Sequence, residues 1–193
     1  MSKLDSIKIH AIAACCNNYG IGSNGSLPWC LPKESSYYDS IIRGNPPEGK
    51  QNAVVMGRAT WFSIQKEIRP LEGRINIVMS KTMKYEDFDE PRPHAVVSSL
   101  EELIALIISE QWNGRIHDIF NVGGNAIYKE IMWSPYSGYV FLTRIDADIE
   151  CDTFFPEIDD SFHKIPISNF PSIPQGVVQE NGMEWHVDVY EKS

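Results

Sequence analysis

A glycine-rich stretch, an aromatic ring and one acid carry the residue types of a small-molecule site. Three glycines lie within residues 20–25, and Trp29 and Glu34 follow. Glycine lets the backbone turn sharply and lie close to a ligand. Pro32 stands where a helix could begin, which would place Glu34 in the first turn of that helix, beside the loop. This arrangement is typical of a ligand pocket, although the same pattern also fits a surface loop and a solvated glutamate.

Glu34 is the acid of this unit that a buried strand could bring against a ligand. Burial would raise its pKa, because an apolar environment disfavours the charged carboxylate. Such a group can take part in proton transfer, or it can accept two parallel hydrogen bonds from a planar edge that carries N–H and NH2 groups. The second use requires a ligand of the pterin or pyrimidine type.

Two glycine-containing turns predict a place for phosphate groups. Residues 57–60 and residues 123–126 each end a predicted strand and begin a helix. Helix N-termini offer free N–H groups and the positive end of a dipole, and Arg58 and Thr60 add a cation and a hydroxyl. Two such turns could face one pyrophosphate, whereas a Gly-Gly pair alone usually makes only a tight turn.

The elements that must position these residues alternate between strands and helices. The alternation predicts an α/β protein: a three-layer sandwich with a central mixed, mostly parallel sheet of about eight strands and helices on both faces. The predicted strands cover residues 7–16, 52–57, 74–80, 94–97, 116–122, 139–144, 177–179 and 185–190, and the last two are expected to form an antiparallel hairpin. Helices are predicted at residues 33–43, at residues 58–64 and through residues 128–133. A further helix is predicted to begin after an N-cap at residue 98 or 99. Charges and prolines between 81 and 93 predict an exposed loop.

The composition is that of one globular domain, which we expect to span residues 1–193. The net charge of -9 argues against a nucleic-acid partner, and positioned cations, with Arg74 and Lys81 as candidates, must hold any anionic ligand. No apolar run is long enough to span a bilayer and residues 1–5 show no secretory signal, so we expect a cytoplasmic protein without a membrane partner. The four cysteines and five histidines lack metal-ligand spacing, which predicts structural thiols and no metal. Cys15 and Cys16 should point to opposite faces of a strand.

Together these residues resemble the dihydrofolate reductase family, in its longer, animal-type form. The most specific part of the resemblance is Gly22-x4-Leu27-Pro28-Trp29-x4-Glu34-x3-Tyr38. Further motifs in the family's order are residues 48–52, 56–61, 69–74, 122–124, 143–144 and 152–157, and residues 189–192 match the longer enzymes. The resemblance therefore covers nearly the whole chain.

The resemblance implies reduction of 7,8-dihydrofolate to 5,6,7,8-tetrahydrofolate by hydride transfer from NADPH, in support of one-carbon metabolism and thymidylate synthesis. Glu34, Trp29 and Thr143 would be the catalytic residues. Glu34 would hold the amino edge of the pterin, Thr143 would support Glu34, and Trp29 would position a bridging water. Antifolate inhibitors would bind the same pocket, and we expect a monomer.

Two sets of binding residues follow from the resemblance. Those implied to bind substrate are Ile12, Glu34, Ser35, Tyr38, Ile64, Leu71, Arg74, Val122, Tyr128 and Thr143. Those implied to bind NADPH are Ala14, Ile21, Gly22, Arg58, Thr60, Ser80, Lys81, Gly123, Gly124, Asn125, Ala126 and Tyr128. Arg74 would clamp the carboxylate of the substrate's glutamate tail, while Arg58, Ser80 and Lys81 would surround the 2′-phosphate of NADPH.

Some positions depart from the family's pattern, and two other functions fit part of it. Ser35 replaces a bulky apolar residue over the substrate, Ser98 stands where a second arginine would face the 2′-phosphate, and Asn121 replaces an apolar strand residue. A related pterin or pyrimidine reductase of the same fold, or a non-catalytic dinucleotide-binding protein, would keep the phosphate turns. The Leu-Pro-Trp-x4-Glu spacing favours folate, and a protein that only binds a cofactor has no need of Glu34.

Overall fold

A computed structural model of the protein describes residues 6–193; residues 1–5, where no secretory signal is expected, lie outside the described part. The described chain forms α-helices α1 Pro32–Arg43, α2 Arg58–Ser63, α3 Leu100–Ile108 and α4 Asn125–Met132. Its strands are β1 Ile9–Cys15, β2 Gly20–Gly22, β3 Gln51–Gly57, β4 Arg74–Met79, β5 Ala95–Val97, β6 Ile116–Asn121, β7 Ser137–Ile145, β8 Thr153–Phe154, β9 Phe162–Ile165, β10 Val178–Glu180 and β11 Met183–Lys192. Within residues 6–193, each helix is too short or too polar to cross a membrane.

One large sheet organises the molecule. Its strand order is β10-β11-β7-β1-β6-β3-β4-β5, and β9 also pairs with β11. The strands from β7 to β5 in this order run parallel, whereas β11 runs antiparallel to β7, β9 and β10. The predicted mixed, mostly parallel sheet is confirmed, with its closing hairpin. β9 was not expected, because its four residues are largely exposed and show no clear apolar alternation.

Helices cover both faces of the sheet, as predicted. On one face, Ile12, Val54 and Met56 pack with Trp61 of α2 and Tyr37 of α1. On the other face, strand residues pack against α3 through Leu103 and Ile107 and against α4 through Tyr128 and Met132. Cys15 and Cys16 join clusters on different faces, which confirms their predicted orientations. Packed helices therefore bury both faces of the sheet.

The start of α1 is fixed by residues from two distant parts of the chain. Pro32 opens the helix with a backbone angle that suits the first turn. Leu31, the N-cap residue, makes no side-chain capping bond. The carboxylate of Glu180 supplies it instead and accepts bonds of 2.6 Å from the Lys33 amide and 3.3 Å from the Glu34 amide. An acid at this helix end is also favoured by the helix dipole.

The segment at residues 81–93 is less exposed than its composition predicts. Phe88 is only 1% exposed and packs against Phe62 and Trp61, with ring centroids 5.8 Å and 6.2 Å away. Its neighbours are charged, so one apolar side chain gives no periodic signal. The segment consequently packs against α2, which begins in the glycine-containing turn at residues 57–60.

Candidate active site

Many of the predicted site residues lie at the carboxyl ends of the parallel strands, where ligand sites of open α/β sheets usually form. Arg74 is an exception, because it begins β4 at the opposite edge of the sheet. The glycine loop follows β1, the two phosphate-type turns follow β3 and β6, and residues 80–81 follow β4. Near the end of β7, Thr143 lies opposite Ala14 of β1 in the strand register.

Glu34 is buried in the first turn of α1 and is hydrogen-bonded. It is 3% exposed, and the Thr143 hydroxyl donates to its Oε1 over 2.9 Å. Thr143 itself is 1% exposed. The predicted pairing of these side chains is thus present, although α1 and β7 are more than 100 residues apart in sequence.

Burial raises the pKa of Glu34 from its usual value of 4.5 to about 7. The hydrogen bond from Thr143 acts in the opposite direction, because it stabilises the ionised carboxylate. The nearby carboxylate of Glu180 adds to the increase by repulsion. Glu34 can therefore hold or release a proton near neutral pH.

Trp29, which precedes α1 by three residues, has an unused hydrogen-bond donor. The residue is 9% exposed, and its indole Nε1 is buried without a hydrogen-bond partner among residues 6–193. A buried N–H that lacks a partner is unfavourable unless a water or a ligand accepts from it. The unpaired Nε1 hydrogen of Trp29 fits the predicted role of this residue, which is to hold a bridging water.

The predicted apolar lining falls into two groups. Tyr38, Ile64, Leu71 and Val122 belong to one hydrophobic cluster on the α1 face, where the first three remain partly exposed. Ile12 is 0% exposed, and Tyr128 packs on the opposite face, where its hydroxyl donates to the Ile12 carbonyl over 2.8 Å. Ser35, next to Glu34 on α1, is exposed.

Arg74 is buried at the start of β4 and already has an acidic partner. Its side chain is 2% exposed, and Nη1 lies 2.5 Å from Oδ1 of Asp39 on α1. Its Nε donates to the Glu72 carbonyl over 3.0 Å. Sequence reasoning missed Asp39, which directly follows Tyr38 of the recognised motif, and it also missed Glu180, for which the sequence offers no local signal.

The two glycine turns contact each other. The Gly57 amide donates to the Gly123 carbonyl over 2.7 Å. A Cβ on Gly124 would lie 3.6 Å from the Thr60 hydroxyl oxygen, so the two turns bring Thr60 close to the backbone of Gly124. Gly123 has φ of +92°, a region that disfavours side chains, and a Cβ there would collide with the Tyr128 ring.

Polar residues follow the ends of the strands near these two turns. Asn125 is the first residue of α4, and its side-chain amide donates to the Phe154 carbonyl over 2.5 Å. The next residue, Ala126, is exposed. Arg58 and Lys81 are exposed at the ends of the neighbouring strands β3 and β4. The Ser80 hydroxyl oxygen accepts from the Met83 amide over 3.0 Å, which leaves its hydrogen free for donation.

The glycine loop, residues 20–25, is hydrogen-bonded to the segment around β8. Gly20 and Gly22 pair with Phe154 and Thr153, and the Asn24 amide donates to Asp152 over 2.7 Å. Ile21, between the two glycines, is half-buried. These contacts hold the loop against residues 152–154, just after β1.

Comparison with known proteins identifies the family. A sequence model described as "Dihydrofolate reductase" matches residues 8–187. The chain belongs to the dihydrofolate reductase family. It is 40% identical to the dihydrofolate reductase of Gallus gallus over 96% of both chains. It is also 40% identical to that of Mus musculus, over 95% of this chain and 97% of the mouse protein.

A solved dihydrofolate reductase has the same fold. The structure of Schistosoma mansoni dihydrofolate reductase superimposes with a TM-score of 0.82 at 34% identity and covers 97% of this chain and 99% of that one. The expected family and fold are therefore confirmed. Within this dihydrofolate reductase fold, Thr143 and the two glycine turns lie at the carboxyl ends of the parallel strands, and Glu34 is bonded to Thr143. Arg74 lies at the opposite edge of the sheet, where β4 begins.

Proposed function

We propose that this chain is an NADPH-dependent oxidoreductase that reduces 7,8-dihydrofolate to 5,6,7,8-tetrahydrofolate. The observation that carries the proposal is the buried Glu34, paired with Thr143 at the ligand edge of a dihydrofolate reductase fold. A protein that only bound a dinucleotide would gain nothing from an acid that is costly to bury there.

Glu34 binds the planar amino edge of the pterin. Its ionised carboxylate accepts two parallel hydrogen bonds, and the Thr143 hydroxyl keeps the carboxylate oriented. Trp29 holds a bridging water through its free Nε1 hydrogen. The other residues proposed to contact substrate are Ile12, Ser35, Tyr38, Ile64, Leu71, Arg74, Val122 and Tyr128.

The residues around the two glycine turns fit a dinucleotide. The starts of α2 and α4 supply backbone N–H donors for a pyrophosphate, and the Thr60 hydroxyl lies close to Gly124 to add a further donor. Arg58, Ser80 and Lys81 hold the 2′-phosphate. The remaining cofactor contacts are assigned to Ala14, Ile21, Gly22, Gly123, Asn125, Ala126 and Tyr128.

NADPH, when bound, supplies the hydride for the imine carbon of the pterin. The chain's own residues position the pterin and exclude bulk water, which strengthens the electrostatic effect of Glu34. Because Glu34 binds the opposite edge of the pterin, it raises the basicity of the ring, and a water near the glycine loop delivers the proton to the imine nitrogen.

The protein binds a small-molecule substrate and antifolate inhibitors at this site. We further infer that it acts as a single-domain monomer in the cytoplasm, without a nucleic-acid partner. The net charge of -9 supports the last point. Sedimentation velocity of the purified chain tests the monomer, since a dimer would sediment as a particle of twice the mass.

One assay tests the proposed reaction. Purified protein is mixed with NADPH and dihydrofolate, and the loss of NADPH absorbance is followed. We expect oxidation that requires both substrates and stops on addition of methotrexate. Absence of dihydrofolate-dependent oxidation in a folded preparation would overturn the proposed function.

A further inference from the structure

The buried guanidinium of Arg74 is shared between two protein acceptors. Nη1 is 2.5 Å from Oδ1 of Asp39, and Nε donates to the Glu72 carbonyl over 3.0 Å. The Arg74 side chain is 2% exposed, whereas that of Asp39 is 49% exposed. The other carboxylate oxygen of Asp39, Oδ2, lies 3.4 Å from Nε of Arg43. Asp39 therefore bridges two arginines at the surface.

These contacts restrict how Arg74 can bind a second carboxylate. A guanidinium offers two edges for a forked pair of hydrogen bonds, one formed by Nη1 and Nη2 and the other by Nε and Nη2. Asp39 occupies one atom of the first edge, and the Glu72 carbonyl occupies one atom of the second. An incoming carboxylate can form a fork only after one acceptor has moved.

Asp39 is the acceptor that can move. The Glu72 carbonyl belongs to the backbone two residues before Arg74, in the turn that leads into β4. Asp39 is a half-exposed side chain on α1, and Arg43 lies one helical turn further along to receive it. A rotation of one side chain towards Arg43 frees Nη1 without any change in the backbone.

We propose that Asp39 is a specificity-determining residue, which competes with the tail carboxylate of the substrate for Arg74. This inference rests on the proposed function, which assigns Arg74 to that carboxylate. Ligands with a tail carboxylate must displace Asp39 and then lie near its negative charge. Ligands without one leave the Asp39–Arg74 pair intact. The site therefore disfavours tail-bearing ligands relative to tail-free ones.

Electrostatics keep this competitor charged. Partial burial acts to raise the pKa of Asp39, but the hydrogen bond and charge of Arg74, with the charge of Arg43, hold the pKa below its usual value. Tyr38, one residue earlier on α1, interacts with the charges of both Glu34 and Arg74. Its hydroxyl therefore lies within electrostatic range of both the pterin-binding acid and the tail-binding cation.

The variant Asp39→Asn tests the proposal, because it keeps the size of the side chain and removes its charge. Dissociation constants are measured by quenching of tryptophan fluorescence, for methotrexate, which has a tail carboxylate, and for trimethoprim, which has none. We expect Asp39→Asn to bind methotrexate about tenfold more tightly. Without the Asp39 carboxylate, Nη1 of Arg74 can donate a charged hydrogen bond to the tail carboxylate of the inhibitor. Trimethoprim binding should change less than about twofold, and the KM for dihydrofolate should fall while kcat stays the same.

Two further variants complete the experiment. Asp160→Asn makes the same charge change at an exposed position and should leave both inhibitors unaffected. Asp39→Ala repeats the test without an amide that could still accept from Arg74. Equal changes for methotrexate and trimethoprim, or weaker binding of methotrexate in both Asp39 variants, would overturn the inference. Because the readout is binding, a wild type that binds both inhibitors but fails to oxidise NADPH with dihydrofolate would refute only the proposed reaction.

Discussion

The Thr143 hydroxyl donates a 2.9 Å hydrogen bond to Oε1 of Glu34, and both residues are almost completely buried. This bond opposes the effect of burial, since it stabilises the ionised form of an acid whose surroundings favour the neutral one. The result is a pKa of about 7, where the site can change its charge under physiological conditions. The next two expected outcomes follow from this balance.

Glu34→Gln should change how the stability of the ligand-free protein depends on pH. The folded-state pKa of Glu34 is raised from 4.5 to about 7, so the folded protein holds this proton more tightly than the unfolded chain. The stabilisation is present below pH 4.5 and is lost as pH rises to about 7. Over that interval the wild type should lose on the order of 3 kcal/mol of unfolding free energy relative to Glu34→Gln.

Urea unfolding at several pH values measures this difference. Glu184→Gln, which removes a charge from the exposed hairpin, is the matched control and should show no such trend. A constant difference between wild type and Glu34→Gln from pH 4.5 to pH 8 would mean that Glu34 ionises normally in the folded protein.

Glu180→Gln should lower the pKa of Glu34. The Glu180 carboxylate repels the ionised form of Glu34 and also caps α1. Removing its charge relieves the repulsion, so the midpoint of the pH–rate profile that belongs to Glu34 should move to lower pH. The weaker cap should also cost roughly 1–2 kcal/mol of unfolding free energy.

The pH profile separates the two effects of Glu180. A variant that loses stability while its profile stays in place would show that Glu180 acts only on the helix. Glu184→Gln again serves as the control, since it lies on the same hairpin and leaves the cap intact.

The contacts of Glu180 with α1 and of Asp39 with Arg74 could not be predicted from the sequence. The position of Glu34 in the first turn of α1 was predictable, because Pro32 marks a helix start and the motif fixes the spacing. The cap from Glu180 joins residues 147 positions apart, and the Arg74–Asp39 pair joins two separate elements. Such contacts depend on the assembled fold, and no local pattern indicates them.

The fold itself was largely predictable, because local sequence patterns mark its strands and helices. Alternating apolar strands and amphipathic helices fix an α/β sheet, and Ser99 caps α3 with a 3.2 Å bond from the Glu102 amide, as the capping box indicates. The exceptions are β9, the short strands β2 and β8, which pair with each other, and the burial of Phe88. None of these leaves a periodic signal in the sequence.

Arg58→Ala should weaken NADPH binding far more than NADH binding. Arg58 is exposed at the end of β3, and its proposed partner is the 2′-phosphate, which only NADPH carries. Loss of a charged hydrogen bond should cost roughly 1.5–3 kcal/mol for NADPH. Titration calorimetry with both cofactors measures this difference.

A second arginine provides the control for that measurement. Arg115 precedes β6, at the opposite edge of the sheet, where it packs over the Trp112 ring. Arg115→Ala should leave both cofactors unaffected. Equal losses for NADPH and NADH in Arg58→Ala would mean that Arg58 does not recognise the 2′-phosphate.

The most direct test of the central claim is the rate of hydride transfer in Glu34→Gln. Stopped-flow single turnovers with NADPH and dihydrofolate at pH 7 measure the chemical step without product release. Because the variant loses the charge that pairs with the pterin, the rate should fall on the order of 100-fold or more, while NADPH binding stays the same. A rate within about threefold of the wild type would contradict the assignment of Glu34 as the catalytic residue whose carboxylate pairs with the pterin.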